Sequence, residues 1–291
     1  MHDFTIEYLR CLDCRSRLDV EALASESELE EGFLRCRSCR SAYPVIMKVP
    51  IIVQDISSYF AIRASLGGHL MLKSRTGKMR SFVRKALSKV RQASDDTTAL
   101  EKKWVRIYRD SAGSEFYSRV RSILAGLGPS DTVLEHGCSI GQIANMAAQR
   151  AARVFGIDKS FYAIAEAKGA RAKNSDFVVA DSLNHPFGPQ KFDMVLALNL
   201  LDIVEPQNLL RTLASQARGT LVLSDPYDYD RGKSSVRKRM GPREIRSTLR
   251  RSGFRIVAGT AREARIPWNL KANPRLELHY KVDLVVAKRL G

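Results

Sequence analysis

Five short apolar segments, each followed by a stretch of helical character, dominate the chain between residues 132 and 225. They are TVLEHG (132–137), RVFGID (153–158), DFVVAD (176–181), FDMVLALN (192–199) and GTLVLSD (219–225). Continuous apolar strands that alternate with helices are typical of a parallel sheet covered on both faces. GFRIVAG and ELHYKVDLVVAK predict two further strands, an antiparallel pair at one edge. The sequence therefore predicts an α/β fold with a seven-stranded, mostly parallel sheet and helices on both faces.

Four of the five cysteines form two Cys-x-x-Cys pairs, Cys11/Cys14 and Cys36/Cys39, which are separated by 21 residues. Two such turns supply four thiolates, which complete the tetrahedral shell of a structural Zn²⁺ and leave no open position for catalysis. In so small a segment, metal binding supplies much of the folding free energy. Redox dithiols are the alternative, but no βαβ pattern surrounds either pair. The spacing therefore favours zinc.

The residues around these cysteines resemble a known family. LRCLDCRSRLDV and GFLRCRSCRSAYPVIMKVPIIV are similar to the Trm112-like zinc ribbon over about residues 7–54. In that family the ribbon activates a methyltransferase in trans or is fused to one. The resemblance implies a small zinc ribbon over residues 1–55 and a methyltransferase domain farther along the chain.

Residues 56–100 are expected to form a helical connector to an α/β domain over 101–291. From Arg63 to Arg91 there are nine Lys or Arg and no Asp or Glu, with apolar residues interleaved. This pattern predicts a basic amphipathic helical segment. A second basic run extends from Arg231 to Arg251, whereas residues 125–225 carry nine Lys or Arg against ten Asp or Glu. The excess positive charge therefore lies in the two basic runs. A solvated helix face is the alternative to contact with an acidic partner for these runs.

The loop after the first apolar segment has the composition of a nucleotide-binding turn. In VLEHGCSIG (133–141) the strand ends near Glu135, Gly137 lies in the turn, and Gly141 opens a helix. Glycine is needed where the backbone turns tightly and approaches a ligand. Because NAD-binding domains carry a similar loop, the strand ends that follow must decide between the two classes.

Those strand ends resemble the motifs of class I S-adenosylmethionine-dependent methyltransferases, type 11-like. The resemblance implies a Rossmann-like domain that binds S-adenosyl-L-methionine through Glu135, Gly137, Cys138, Ser139, Gly141, Asp158, Lys159, Asp181, Ser182 and Asn199. In the family, the acid at the position of Glu135 binds the methionine ammonium group. The acid at the position of Asp158 accepts hydrogen bonds from the ribose hydroxyls, and the acid at the position of Asp181 contacts the adenine amino group. Ser139 stands where the family has its middle glycine, and His136 replaces a strand hydrophobe. Strand-end capping is the alternative role of Asp158 and Asp181.

The methyl acceptor is less constrained. Asp225-Pro226-Tyr227-Asp228 is similar to a motif that holds an exocyclic base amine, but it follows the fifth strand instead of the fourth, which disfavours adenine or cytosine as acceptor. The candidate acceptor-pocket residues are Tyr227, Asp228, His279 and Tyr280, with turn and sheet packing as the alternative. A loose similarity of about the last 160 residues to the methyltransferase half of ovothiol biosynthesis enzymes implies a small-molecule acceptor.

RNA is the second acceptor class. A formal charge of +17 indicates an acidic partner, and the basic runs 63–91 and 231–251 are candidate nucleic-acid contacts. Phe82, Trp104 and Tyr108 could stack on bases, and methyltransferases that resemble this arrangement modify ribosomal RNA. A third hypothesis is a non-catalytic partner subunit, which Ser139 in the glycine loop would support.

The expected location is the cytoplasm, without membrane contact. No apolar run approaches the ~18–20 residues that span a bilayer, and MHDFTIEYLR lacks the basic start and apolar stretch of a signal peptide.

Overall fold

The computed structural model describes residues 1–90 and 95–291, so Arg91 at the end of the first basic run, and residues 91–94 of the predicted connector, lie outside the described residues. The chain divides into two compact units that interleave in sequence. The first comprises Met1–Arg106, Asp158–Arg171 and Asp176–Gly188, and the second comprises Ile107–Ile157, Ala172–Ser175 and Pro189–Gly291. Among the described helices, none has the length and apolar character needed to cross a bilayer. The domain boundaries at residues 55 and 100 stay predictions.

Four successive strands and five successive helices precede residue 130, and strands and helices then largely alternate up to residue 256. The helices are α1 (Asp3–Tyr8), α2 (Ile56–Ala61), α3 (Ala64–Lys73), α4 (Gly77–Ser88), α5 (Thr98–Asp110), α6 (Glu115–Gly126), α7 (Gln142–Ala148), α8 (Phe161–Gly169), α9 (Pro206–Gln216) and α10 (Pro242–Arg251). The strands are β1 (Leu18–Ser25), β2 (Leu29–Cys36), β3 (Ala42–Ile46), β4 (Val49–Ile52), β5 (Ser130–His136), β6 (Ala151–Asp158), β7 (Ser175–Ala180), β8 (Phe192–Leu198), β9 (Ala217–Asp225), β10 (Phe254–Ile256), β11 (Ile266–Asn273) and β12 (Leu276–Arg289). Each predicted apolar segment lies in one of the strands from β5 to β9.

The first unit contains a small antiparallel sheet at its N-terminal end. β1, β2, β3 and β4 pair in sequence order, and β4 then pairs in parallel with β7, with Ile51 opposite Val179. Met47 and Lys48 form the turn between β3 and β4 with φ of 54° and 68°. Two left-handed residues are what a two-residue hairpin with the right-handed strand twist requires, usually with glycine or asparagine. The predicted short strand in VPIIVQ is β4.

In its described residues the predicted basic connector contains α2, α3, α4 and the start of α5. Asp55 caps α2 by accepting the backbone N–H groups of Ser57 and Ser58, both at 3.0 Å. Ser74 ends α3 in an extended conformation, and Thr76 caps α4 by accepting the N–H of Met79 at 3.2 Å. The capping side chains of Asp55 and Thr76 thus start separate helices within a sequence that is amphipathic throughout.

A buried carboxylate joins α4 to β2. Glu31 is 2% exposed and accepts the backbone N–H groups of Arg75 at 2.6 Å and Thr76 at 2.9 Å. Met79, Val83 and Ala86 form the buried side of α4. The start of the helix is therefore held by charge-assisted hydrogen bonds, and its length by apolar packing.

The second unit is built on a mostly parallel sheet. Its strand order is β6-β5-β8-β9-β12-β10, in which β6, β5, β8 and β9 run parallel and β12 is antiparallel to both β9 and β10. Together with β7 of the first unit, these are the seven strands that the sequence predicted. The chain has a mixed α/β, Rossmann-like fold.

β11, like β1, β2 and β3, was not predicted from the sequence. β11 pairs antiparallel with β12 and places Trp268 opposite Tyr280. Its buried residues alternate, with Ile266, Trp268 and Leu270 inside, which is the period of a half-buried strand. The pattern was present in IPWNLKAN, but the segment is short and contains both proline and asparagine, which are depleted in strands.

Candidate active site

The thiols of Cys11, Cys14, Cys36 and Cys39 converge in the first unit, all within 4.8 Å of one another. The Sγ separations are 3.4 Å for Cys11–Cys39, 3.3 Å for Cys14–Cys36 and 3.5 Å for Cys14–Cys39. A disulfide would need about 2.05 Å, whereas four sulfurs about 2.3 Å from a central zinc lie about 3.8 Å apart. The cluster is compatible with a zinc ribbon.

The two cysteine turns have the same backbone geometry. Arg15 and Arg40, each directly after the second cysteine of a pair, have φ of 61° and 64°. Their N–H groups donate to the carbonyls of Cys11 at 3.0 Å and Cys36 at 3.1 Å. A left-handed residue thus closes each turn after its second cysteine. The two turns therefore hold their pairs of thiols with the same backbone geometry.

The glycine loop of the second unit follows β5. Gly137, Ser139 and Gly141 have φ of 66°, 48° and 73°. A Cβ at Gly137 would approach Leu200 Cδ1 to 2.9 Å, so this position requires glycine for space as well as for conformation. Ser139 adopts the left-handed conformation that costs a non-glycine residue roughly 1–2 kcal/mol. Cys138 in the same loop is buried.

Glu135 and His136 end β5 as buried residues, 3% and 0% exposed. His136 Nε2 lies 2.8 Å from Gln216 Oε1 at the end of α9. The histidine that departs from the family pattern therefore occupies a core position by forming a buried hydrogen bond.

Asn199 directly follows β8, with φ of 55°. Its N–H donates to the carbonyl of Ser224 on β9 at 2.8 Å, and Ser224 Oγ donates to Asn199 Oδ1 at 2.8 Å. Two bonds to the neighbouring strand thus hold Asn199 at the carboxyl end of the sheet, where open α/β sheets bind ligands.

The first unit holds the predicted residues that follow β6 and β7. Asp158 accepts the N–H of Ser160 at 2.8 Å, and Asp181 accepts that of Leu183 at 2.9 Å. Both are side-chain turns of the kind expected from strand-end capping. Lys159 Nζ pairs with Asp181 Oδ2 at 2.9 Å, and Ser182 beside it is buried. The structure therefore brings Lys159 and Asp181 together, in an ion pair that is exposed enough to contribute little stability.

The acceptor-pocket candidates of the second unit divide into three environments. Tyr227 donates its hydroxyl to Asp283 Oδ2 at 2.7 Å, and Arg246 forms an ion pair with that carboxylate. Tyr280 lies near Asp228, whose charge helps to raise the pKa of the tyrosine after burial and against the opposing effect of Arg231, and it packs on Trp268 with ring centroids 5.5 Å apart. His279, on the other face of β12, is exposed and lies 3.0 Å from Asn269 Oδ1. Only Asp228 and Tyr280 are brought together.

A buried charge cluster at the ends of β8 and β9 escaped the sequence analysis. Arg231 Nη1 donates to Asp202 Oδ2 at 2.8 Å, and the N–H of Asp202 donates to Asp225 Oδ2 at 3.1 Å. The guanidinium lies 5.5 Å from the Trp268 ring centroid and 5.7 Å from that of Tyr280. Arg231 was expected to start a basic run, but it is buried in an ion pair. An acid at each of two strand ends, followed by an arginine in the next loop, is the signal that could have indicated the cluster.

These two carboxylates have unusual proton affinities. Burial raises the pKa of Asp202 to about 6. Burial, and next the charge of Asp202, raise the pKa of Asp225 well above its ordinary value. One arginine faces two carboxylates, so the pair retains a proton to a higher pH than isolated aspartates do.

Comparison with known proteins agrees with this arrangement of polar residues at the ends of parallel strands in an α/β unit. Residues 133–220 match the family described as a methyltransferase domain. No curated protein sequence is significantly similar to the chain. Residues 133–220 are thus similar to a methyltransferase domain, and a four-cysteine cluster compatible with a zinc ribbon precedes them.

Solved methyltransferases have a similar fold. Magnesium protoporphyrin IX methyltransferase from Synechocystis PCC 6803, with bound S-adenosylhomocysteine, is 22% identical with a TM-score of 0.51, over 67% of this chain and 95% of that one. N-methyltransferase NodS from Bradyrhizobium japonicum WM9, with the same ligand, is 17% identical with a TM-score of 0.51, over 68% and 100%. A chain of the Haloferax volcanii complex between the Trm112 methyltransferase activator and a methyltransferase is 16% identical with a TM-score of 0.50, over 66% and 98%. At these identities the likeness shows the fold alone.

The buried pair predicts a specific pH dependence. Because the folded pKa of Asp202 is raised, its contribution to stability is complete below about pH 4 and is lost as the pH rises through about 6. As the pH rises from 5 to 8, we expect the free energy of unfolding of Asp202→Asn, measured in urea, to increase by roughly 1–3 kcal/mol relative to that of the wild type.

Asp193→Asn is the matched control in the same unit. Its ion pair with Arg218 lowers the pKa of Asp193, so this carboxylate is charged in both states above pH 6, and the difference from wild type should stay constant there. A constant difference for Asp202→Asn as well would show that the buried pair does not retain a proton.

Proposed function

We propose that the chain is an S-adenosylmethionine-dependent methyltransferase whose acceptor is a small molecule or RNA. The observation that carries the proposal is the pair of buried polar residues, Glu135 and Asn199, at the carboxyl ends of adjacent parallel strands. The left-handed loop 137–141 follows directly after the first of these strands. Ligands of open α/β sheets bind outside these strand ends, and the segment lies within the residues matched to a methyltransferase domain.

The proposed cofactor contacts follow the local chemistry of each residue. The Glu135 carboxylate would bind the methionine ammonium, and the backbone at Gly137 and Gly141 would allow close approach. In the first unit, Asp158 would accept the ribose hydroxyls, and Asp181 the adenine amine. The bound cofactor supplies an electrophilic methyl group, and the chain orients the acceptor lone pair in line with it.

The same residues of the first unit already form turns and an ion pair. Asp158 accepts the N–H of Ser160 through Oδ1 at 2.8 Å. Asp181 binds the N–H of Leu183 through Oδ1 and Lys159 through Oδ2. We propose that the adenine amine replaces or shares the Lys159 contact, which the exposure of this pair permits.

On the acceptor side, we propose that Asp228 and Tyr280 line the pocket. The Asp228 carboxylate near Tyr280 and the Trp268 ring that packs on Tyr280 combine a polar group with an apolar wall. Tyr227 and its partner Asp283 would position the loop instead. One ligand-bound neighbour is a magnesium protoporphyrin IX methyltransferase, and the other is an N-methyltransferase. The shared fold is therefore compatible with different acceptors.

The four-cysteine cluster is proposed to bind one structural Zn²⁺. In the Haloferax volcanii complex the Trm112 activator and the methyltransferase are separate partners. We propose that the N-terminal ribbon supports the methyltransferase domain of its own chain in a comparable way. The alternative, a non-catalytic partner subunit, is favoured by Ser139, whose strained left-handed backbone replaces the usual glycine.

Zinc binding is tested by substituting cysteines. We expect the purified chain to contain about one zinc ion per molecule, and Cys36→Ser to lose it with a lower melting temperature, because a closed four-thiolate shell tolerates no missing ligand. Cys138→Ser, which changes the buried cysteine outside the cluster, should keep the metal. Equal zinc contents in the two variants, measured by elemental analysis, would exclude this site.

Cofactor binding is tested by calorimetry on the zinc-loaded chain. Glu135→Gln should weaken S-adenosylmethionine binding by roughly 10- to 100-fold, because it removes a charged hydrogen-bond acceptor for the ammonium. Glu115→Gln, at an exposed position on α6, is the matched control and should bind like the wild type. If the wild type gives no heat of binding although it is folded, the enzyme proposal fails.

The acceptor class is tested by transfer of label. Incubation with methyl-labelled S-adenosylmethionine and fractionated extract should place label in an RNA or small-molecule fraction, and Glu135→Gln should reduce it. An RNA acceptor should also show a steep loss of binding with rising salt, whereas a small acceptor should not. Label in neither fraction, from a chain that binds the cofactor, would favour the partner-subunit alternative.

A further inference from the structure

An open pocket of about 330 Å³ lies on the first unit where β2 faces α4. Phe33 and Arg35 come from β2, and Lys78, Ser81, Phe82 and Lys85 come from α4. None of these residues belongs to the cysteine cluster or to the proposed cofactor contacts. The pocket is therefore a separate feature of the first unit.

Two aromatic rings form the apolar part of the pocket. Phe33 is buried, with 2% exposed, and the half-buried ring of Phe82 packs edge-on against it with centroids 5.1 Å apart. The Arg35 guanidinium lies 5.0 Å from the Phe33 centroid. The inner ring is thus fully packed, while the outer ring remains partly accessible at the pocket wall.

The polar part of the pocket is positively charged. Arg35 and Lys78 both form ion pairs with one carboxylate, Glu21, and their side chains remain 44% and 55% exposed. Lys85 is exposed and lies seven residues after Lys78, on the same side of α4. Two of these three cations therefore share one acid, and residues 56–94 contain no Asp or Glu that could neutralise them.

The pocket is held in place by the contacts that fix α4. The Glu31 carboxylate binds the backbone N–H groups at the start of the helix, and Thr76 caps it. The buried side chains of Met79 and Val83 then orient the helix so that Phe82 and Lys85 remain accessible. A site on two fixed elements needs little ordering when a ligand binds.

We propose that this pocket binds a nucleotide of single-stranded nucleic acid. One base stacks on the accessible part of Phe82, while Lys85, Lys78 and Arg35 contact the adjoining phosphates. An aromatic ring flanked by cations is the combination that single-strand binding uses without requiring sequence specificity. A volume of about 330 Å³ is sufficient for one nucleotide. The proposal is independent of methyl transfer, since binding requires neither the cofactor nor the predicted acceptor pocket.

The test is fluorescence anisotropy on the full zinc-loaded chain without S-adenosylmethionine. The probes are oligouridylate of about ten nucleotides, oligothymidylate of the same length, and a ribose-phosphate oligomer of the same length without bases. Comparing the first and third probes isolates base stacking from phosphate attraction. Comparing the first two distinguishes RNA from DNA as the source of the strand.

Phe82→Leu tests the stacking step. It keeps an apolar side chain against Phe33, and we expect it to weaken oligouridylate binding by roughly fivefold or more while binding of the base-free oligomer stays unchanged. If Phe82→Leu changes the affinity for both probes by less than twofold, the pocket does not bind a base and the proposal is overturned.

Lys85→Glu tests the phosphate contacts, with Lys103→Glu as a control of equal charge change at an exposed position of α5. Lys85→Glu should weaken both oligomers by about tenfold and lower the slope of log affinity against log salt by about 0.7 or more. Lys103→Glu should have a much smaller effect. Equal losses for the two variants would show attraction by overall charge alone, which overturns the proposed site. Tighter binding to vesicles with anionic lipids than to either strand would do the same.

Discussion

The backbone turn that ends β5 is the constraint on which the proposed chemistry of the second unit depends. Gly137 has no room for a Cβ because Leu200, from the loop after β8, packs directly against it. Cys138 then donates its N–H to the carbonyl of Ile157 at 3.0 Å, which ties the loop to β6. Glu135 therefore ends its strand on a backbone that is fixed by two neighbouring segments. A binding residue held in this way loses little entropy when a ligand arrives.

Charge has the corresponding role at the end of β9. Asp225 accepts the N–H groups of Asp202 and Tyr227, so its two oxygens connect the loop after β8 to the loop after β9. Gly232 packs against the carbonyl of Asp202, where a Cβ would come within 2.2 Å. A buried pair of carboxylates with one arginine is costly, and groups with such shifted pKa values are concentrated at functional sites. The guanidinium of this cluster lies 5.7 Å from the ring centroid of Tyr280, so the cluster would support a residue that is proposed to line the acceptor pocket.

A feature could be predicted from the sequence when it depends on residues that are close together in the chain. The parallel strands were predictable because each one is a continuous apolar run, and the four-cysteine cluster was predictable because the two cysteines of each pair lie within four residues. Arg231 and Asp202 were not, since the pair joins residues 29 positions apart and depends on the sheet being formed. The division of the connector at Ser74 depends on a single capping residue, Thr76, within an otherwise helical pattern. Local signals thus recovered the elements, and tertiary contacts decided the environments of Tyr227, His279 and Arg231.

The same distinction changes what the charge of +17 means. Arg63, Arg231 and Arg246 are each 15% exposed or less at the side chain and form ion pairs with Glu101, Asp202 and Asp283. These arginines stabilise the two units and offer little to a partner. The remaining cations of run 231–251 are exposed on and before α10, where Glu244 lies among them. The cations of α4 differ because their helix carries no acid and because an aromatic pocket adjoins them. Attraction of a polyanion requires only cations without neighbouring acids, whereas retention of a base also requires an aromatic pocket. Within the described chain, α4 has both the cations and the pocket.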